Sequence, residues 1–145
     1  MTHSVHVHYR DAGILSADPL QLVQMLYQAA TESVAAARRH VRAANIQERS
    51  KAIMRAWEII NELRVSLDHS VGGEISRNLA ALYAYMQRRL LEANAAQIES
   101  PLAEVEKLLS TLLEGWASAA APARAAQNGT EQEHTAEYTP ITCAY

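Results

Sequence analysis

Residues 72–94 read Gly72-Gly73-Glu74-Ile75-Ser76-Arg77-Asn78-Leu79-Ala80-Ala81-Leu82-Tyr83-Ala84-Tyr85-Met86-Gln87-Arg88-Arg89-Leu90-Leu91-Glu92-Ala93-Asn94. The paired glycines are the only ones between Gly13 and Gly115. Glycine is costly inside a helix and cheap in a left-handed turn, so the pair marks a break. From Glu74 onward, Ile75, Leu79, Leu82, Met86, Leu90 and Ala93 recur in steps of three and four. That spacing predicts one apolar stripe on an α-helix. Glu74 near its start and Arg89 near its end suit the helix dipole. About 22 residues at 1.5 Å each give a rod of roughly 33 Å. A stripe of that length has to be covered by other helices.

The other covering stripes are present on both sides. Asp18-Pro19-Leu20-Gln21 combines a capping Asp, a proline at the first helical position and a Gln at the third. A stripe follows through Leu22/Val23, Leu26, Ala30, Val34, Ala37 and Val41, with Asn45 as the expected left-handed stop. A second helix is predicted from about Gln47 to Leu67, striped by Ile53, Ala56/Trp57, Ile60, Leu63 and Leu67. Asp68 to Gly73 is the turn into the third helix. Ser100-Pro101 repeats the cap-plus-proline signal, and Leu102, Val105, Leu109, Leu112 and Trp116 follow at strict helical spacing. Pro122 is expected to end that helix.

No segment alternates with period two, so no strand is expected. The predicted fold is all-α: an antiparallel, up-down-up-down four-helix bundle, because short links force sequential helices to run antiparallel. Crossing angles near 20° are expected for such packing. Residues 1–15 read as an N-terminal arm, 16–121 as the bundle domain, and 122–145 as a largely disordered tail of mixed polar, Ala and Gly content.

Composition fits this reading. The 145 residues suit one domain, and 49% hydrophobic content supplies a core. With 6% aromatics, no Phe and 27 alanines, that core is aliphatic and helix-favouring. A net charge of −3 argues against a nucleic-acid binder. Arg38, Arg39 and Arg42, or Arg88 and Arg89, read as solvated helix faces. Cys143 is the single cysteine, so there is no disulfide framework, and a reducing compartment is expected. The N-terminus has no signal-peptide core, and the near-apolar run Leu79 to Met86 is too short to insert in a membrane. A soluble cytoplasmic protein is expected.

The sequence carries no complete catalytic or metal-binding motif. His3, His6 and His8 alternate in the arm without a carboxylate or cysteine to complete a metal set. One Glu-x-x-His spacing, Glu131 to His134, falls in the tail, whereas a di-metal bundle needs two such pairs and two more carboxylates. No phosphate-binding loop, dinucleotide fingerprint, zinc-protease motif or nucleophile elbow occurs. His40 and His69 are the body's histidines. A phosphorelay bundle using His40 is an alternative reading, although Val-Arg-Ala-Ala follows it rather than the Lys-Gly expected there. No cofactor is expected, and nothing points to an enzyme. Trp57 and Trp116 are expected in the core. Asn78, at the edge of the third stripe, is expected to be a buried amide that pins the register, with a contact to a partner's backbone as the alternative.

Some apolar residues miss the stripes. At 100° per residue, Met25 falls far from the core face of the first helix. Met54 and Val65 fall on the outer side of the second, and Tyr85 and Leu91 off the stripe of the third. Isolated exposed hydrophobes are normal. Several on adjacent helices would instead line grooves for another helix, and methionine suits such a surface because it repacks easily. Both readings stand on spacing alone.

The pattern GGEIxxNLxxLYxYMxxRLxxAN, here Gly72 to Asn94, resembles the signature of the FliS family of flagellar export chaperones. Tyr9 with Ile14-Leu15-Ser16-Ala17-Asp18-Pro19 is similar to the family's opening, and Leu22-Val23-Gln24-Met25-Leu26-Tyr27 to its first helix. Ile59-Ile60-Asn61-Glu62-Leu63 and Ser66-Leu67-Asp68 are similar to its approach to the glycines. The likeness is collinear over about residues 9–117. The first helix is richer in alanine than usual, and the tail has no counterpart. The resemblance implies a four-helix bundle that binds the C-terminal segment of flagellin, a segment disordered in the monomer and helical in the filament. It implies that binding blocks premature polymerisation and keeps the subunit competent for type III export, with the export gate as a further partner. Under it, Met25, Met54, Val65 and Tyr85 become candidate flagellin-binding residues. Tyr9, Ile14 and Leu15 join them, because the family's arm can lie over part of the groove. A helical adaptor for some other amphipathic helix is the remaining alternative.

Overall fold

Asp18 starts the first helix as its sequence predicts. Its carboxylate accepts the backbone N–H of Gln21 at 2.8 Å, and the Gln21 side chain accepts the N–H of Asp18 in return. Together they satisfy two of the donors a helix start leaves orphaned. The computed structural model describes residues 18–128. They form α1 (Pro19–Arg42), α2 (Ile46–Val65), α3 (His69–Ala96) and α4 (Ser100–Asn128), with no strand among the described residues. Residues 43–45, 66–68 and 97–99 link them. Links that short turn each helix back along its predecessor. The helices pack in a ring, α1 on α2, α2 on α3, α3 on α4 and α4 on α1, and the α3–α4 seam is the least extensive. This is the expected all-α bundle.

Each turn has a local cause. Ala44 takes the left-handed conformation (φ 57°) after α1, where Asn45 was expected to. The Ala44 and Asn45 amides donate to the carbonyls of Val41 and His40, the paired bonds that close a helix end. Asn45 is committed elsewhere: its side chain accepts the Glu48 amide and caps α2. Gln97, at φ 58°, closes α3 similarly, with the Ile98 amide donating to the Ala93 carbonyl.

The paired glycines do mark a break. Gly73 has φ 57° and ψ −124°, which interrupts α3 after its first turn. Asp68 organises that turn: its carboxylate accepts from the Ser70 amide and hydroxyl, and its carbonyl accepts from the Val71 and Gly72 amides and the Ser76 hydroxyl. This corrects the start of the α3 stripe. Ile75 is 52% exposed, and Ser76 takes the inward position instead. Ile75 stands in the first turn after the left-handed Gly73, where the helix is only resuming. Asn78 is likewise exposed, not a buried register pin.

Beyond the break the core follows the stripes: Val23, Leu26, Ala30, Val34 and Ala37 from α1, with Ile53, Ala56, Ile60 and Leu63 from α2. Met86, Leu90 and Ala93 from α3 meet Leu102, Val105, Leu109 and Trp116 from α4. Leu79, Leu82, Trp57 and Leu112 are half-buried against that cluster, so Trp57 is a border residue rather than a core one. Tyr27 and Tyr83, both fully buried, were not on the predicted stripes. Their hydroxyls share a hydrogen bond across the bundle, and the Trp116 indole N–H donates to the Tyr27 oxygen at 3.0 Å. A buried hydroxyl is tolerable in an aliphatic core only when so paired.

Near the other end, Arg49 is buried, and its guanidinium donates to the Asn94 side-chain oxygen (3.1 Å) and backbone carbonyl (3.3 Å). The Ser50 hydroxyl donates to the same side-chain oxygen at 3.0 Å. Asn94, the last residue of the quoted stretch, thereby ties α3 to the start of α2. Finally, α4 does not stop at Pro122 but continues to Asn128. Proline removes one N–H and crowds the preceding turn, but alanines at 119–121, 123, 125 and 126 favour helix on both sides of it. The rest of the expected tail, and the whole arm 1–15, lie outside the described residues.

Candidate functional surface

A bundle with a complete core leaves its outer surface for partners. Met25 (37% exposed), Met54 (40%), Val65 (61%) and Leu91 (46%) face out, as their positions on the helical wheel predict. Met54 and Val65 are eleven residues apart, about three turns, so they share one face of α2. Leu91 stands opposite Met54. Ser50 bonds Asn94 at one level of the α2–α3 seam, and the Gln87 amide donates to the Trp57 carbonyl at another (3.3 Å). Met54 lies between the two bonded positions on α2, and Leu91 between the two on α3. The antiparallel helices therefore bring Met54 and Leu91 to one height, on the two banks of a seam that half-buried Trp57 borders. Gln87 holds the seam closed: its side-chain oxygen also accepts from Arg64 at 3.0 Å.

The remaining candidates are placed differently. Met25 lies on α1, near the end of the bundle where α2 finishes. Tyr85 is half-buried on the α3–α4 side, and its hydroxyl donates to Glu104 at 2.8 Å. Arg89 donates to Glu104 (2.7 Å) and Glu92 (2.8 Å) beside it. The Tyr85 and Arg89 hydrogen bonds hold the Glu104 carboxyl below the ordinary range, and the same carboxylate pushes the Tyr85 phenol up. The structure thus joins Met54, Val65 and Leu91 on one flank, and sets Tyr85 on another. Tyr9, Ile14 and Leu15 lie outside the described residues.

Exposed apolar residues that spacing did not flag are Val71 and Ile75 around the glycine break, and Ile46 and Ile98 at the opposite end. The break itself was the available signal for the first pair. Among the described residues no cluster of His, Cys, Asp and Glu is arranged to hold a metal, and no helix is long and apolar enough to cross a membrane. His40 sits half-buried in the last turn of α1, where its backbone carbonyl helps close the helix.

This is a four-helix bundle with apolar residues on its outer flank, and its relatives give that class a role. The family model described as flagellar protein FliS matches residues 1–123, and the chain belongs to that family. It is 39% identical over 107 residues to the flagellar secretion chaperone FliS of Salmonella typhimurium, covering 73% of this chain and 79% of that protein. It is 41% identical over 106 residues to the flagellar secretion chaperone FliSB of Pseudomonas aeruginosa, covering 73% and 84%. The Bacillus subtilis FliS is 28% identical over 122 residues, covering 84% and 90%. The chain is a flagellar export chaperone, of a family that is not enzymatic.

Proposed function

We propose that the client of this chaperone is the C-terminal segment of flagellin, bound in the cytoplasm as an amphipathic helix on the outside of the bundle. Covering that segment prevents premature polymerisation and keeps the subunit competent for type III flagellar export, with handover at the export gate. The observation that carries this reading is the flank made by Met54 and Leu91 at one height, with Val65 further along α2. These are apolar side chains facing water on helices whose cores are already filled. Met25 and Tyr85 extend the contact to neighbouring faces, and Tyr9, Ile14 and Leu15 of the arm contribute over part of the groove.

A segment that folds on binding gives up about 2–5 kcal/mol of the gross interaction to ordering. Apolar contact offsets that cost, which is why the surface must be hydrophobic rather than merely polar. Met54→Glu separates binding from folding. In the free protein the new charge meets water, so stability shifts by about 0.5 kcal/mol or less. In the complex it is buried unpaired, and affinity falls by about tenfold or more. Calorimetric titration of a flagellin C-terminal peptide, beside a thermal melt, reads both. An early melt assigns Met54 to the core, and unchanged affinity places the client elsewhere.

A further inference from the structure

The seam between α3 and α4 is the least extensive of the four. Glu104 ties the part of it nearer the 97–99 link, accepting from Tyr85 at 2.8 Å and from Arg89 at 2.7 Å. Further along, the seam opens. Gly115 lies eleven residues beyond Glu104, about three turns, and so on the same side of α4. It is exposed, and an added Cβ there would meet nothing within 4 Å. Leu108 and Leu112, on the turns between, are only half-buried. On α3, Leu82 and Ile75 precede Arg89 by seven and fourteen residues, which places them on the side that Arg89 turns toward Glu104. Leu82 is half-buried and Ile75 is 52% exposed. With Leu79, these residues line an apolar trough that runs from Glu104 to the end of the bundle where α4 finishes. The ring sets α2 and α4 on opposite sides of α3, so the trough is separate from the flank of Met54 and Leu91.

The chain itself arrives at the mouth of this trough. Trp116, Tyr27 and Tyr83 meet through hydrogen bonds, so they mark one height on α4, α1 and α3. From that height, at 1.5 Å per residue, Ile75 lies about 12 Å toward the end of the bundle and Asn128 about 18 Å. Helix α4 therefore delivers residue 129 just past Ile75, on the helix that forms one wall. Helix α1 starts at the same end, but the ring places it diagonally from α3, with α4 or α2 between. The residues after Asn128 are not uniform. Residues 129–137 carry Glu131, Glu133 and Glu137 and suit a polar spacer. Extended, those nine residues reach about 30 Å, more than the distance of about 20 Å back to the height of Gly115. Tyr138-Thr139-Pro140-Ile141-Thr142-Cys143-Ala144-Tyr145 has no charged side chain. Its proline and its β-branched and aromatic residues favour an extended chain over a helix.

We propose that residues 138–145 fold back along α4 and pack as an extended chain in the α3–α4 trough. Ile141, Cys143 and Tyr145 share one side of such a chain and turn toward Leu82, Leu112 and Gly115. The occupant is this chain's own C-terminal segment, tethered by residues 129–137. It covers apolar side chains that the bundle leaves in water, and it leaves the Met54–Leu91 flank open.

Cys143 is the single cysteine of the sequence, so a second one reports where it resides. The full chain is prepared as Gly115→Cys and, for comparison, as Glu114→Cys, an exposed position at the same height but about 100° away around α4. Each is exposed to oxidised glutathione, and the disulfide is followed on non-reducing gels and by peptide mass. A docked segment holds its thiol at the trough, so the bond from residue 115 to Cys143 should close within one chain about tenfold faster than the bond from residue 114. Adding Ile75→Glu should abolish that advantage, while circular dichroism shows the same helix content and melting as the parent. Equal rates at the two positions, no disulfide at either, or an advantage that survives Ile75→Glu would overturn the proposal. Disulfide-linked dimers that form faster as protein concentration rises would overturn it in favour of a second copy in the trough.

Discussion

Replacing Gly73 and Gly115 by alanine, one at a time, should move stability in opposite directions. An added Cβ meets nothing within 4 Å at either position, so packing contributes to neither outcome. Only the backbone differs. Gly73 has φ 57° and ψ −124°, a region that L side chains strongly avoid. Holding alanine there costs about 1–3 kcal/mol. The less flexible unfolded chain returns about 0.4–1 kcal/mol, which leaves a net loss of about 1–2 kcal/mol. Gly115 is an exposed position inside α4 with no positive φ. Alanine there should gain about 0.5–1 kcal/mol. For a chain of this size one kcal/mol moves Tm by about 3–5 °C. Gly73→Ala should therefore melt about 3–10 °C below the parent and Gly115→Ala about 2–5 °C above it. Thermal melts followed by circular dichroism at 222 nm on the two single variants suffice. A Gly73→Ala protein that melts with the parent, while Gly115→Ala rises, would show that the break in α3 does not need its left-handed residue.

Leu109→Ala, at a fully buried position, should cost about 2–5 kcal/mol, and Leu82→Ala clearly less because that side chain is half-buried; urea unfolding of both checks the ranking. Asn94→Ala should cost about 1–3 kcal/mol, since it leaves the buried Arg49 guanidinium without its side-chain acceptor, and the loss should show in the same unfolding curves. Acid sensitivity should depend on Glu99, whose carboxyl is held at about 2 by hydrogen bonds from Arg42 and Arg38, against an ordinary value of 4.5. Because the folded pKa is the lower one, the unfolded chain takes up the proton first as pH falls. The contribution is present above pH 4.5 and disappears as pH drops toward 2, so Glu99→Gln should flatten the Tm profile in that window and a parallel profile would refute the assignment.

Where residues sit on an uninterrupted helix, the fold was legible from spacing. Val34, Ile60, Leu90 and Leu109 all fall inward as counted, because a single 3.6-residue period decides them. The errors sit where the period is reset or where a side chain has two uses. Ile75 follows the glycine break and faces water. Asn45 was read as a turn residue, yet its side chain serves better as a cap, which left Ala44 to take the left-handed position. Pro122 was read as a stop, although it stands among alanines that carry the helix past it. Tyr27 and Tyr83 fall outside the Leu, Ile, Val and Ala stripes, and only three-dimensional proximity reveals that their polar tips satisfy one another. The candidate surface was legible as far as exposure goes: Met25, Met54, Val65 and Leu91 face out. That Met54 faces Leu91 across a seam, and that Tyr85 lies on another flank, depends on how neighbouring helices are staggered, which the period of one helix does not encode.

The meeting of Tyr27, Tyr83 and Trp116 has a consequence for selectivity between self and client. Three helices each bring one polar atom to the same point in an otherwise aliphatic interior. Sliding any of them by a turn would strand hydroxyls or an indole N–H among hydrocarbon, a loss that apolar contact alone would not repair. An all-leucine interior has no such memory and would let a visiting amphipathic helix displace a resident one. A helix that meets only the outer surface leaves these bonds untouched, so the bundle keeps its own members and its own register.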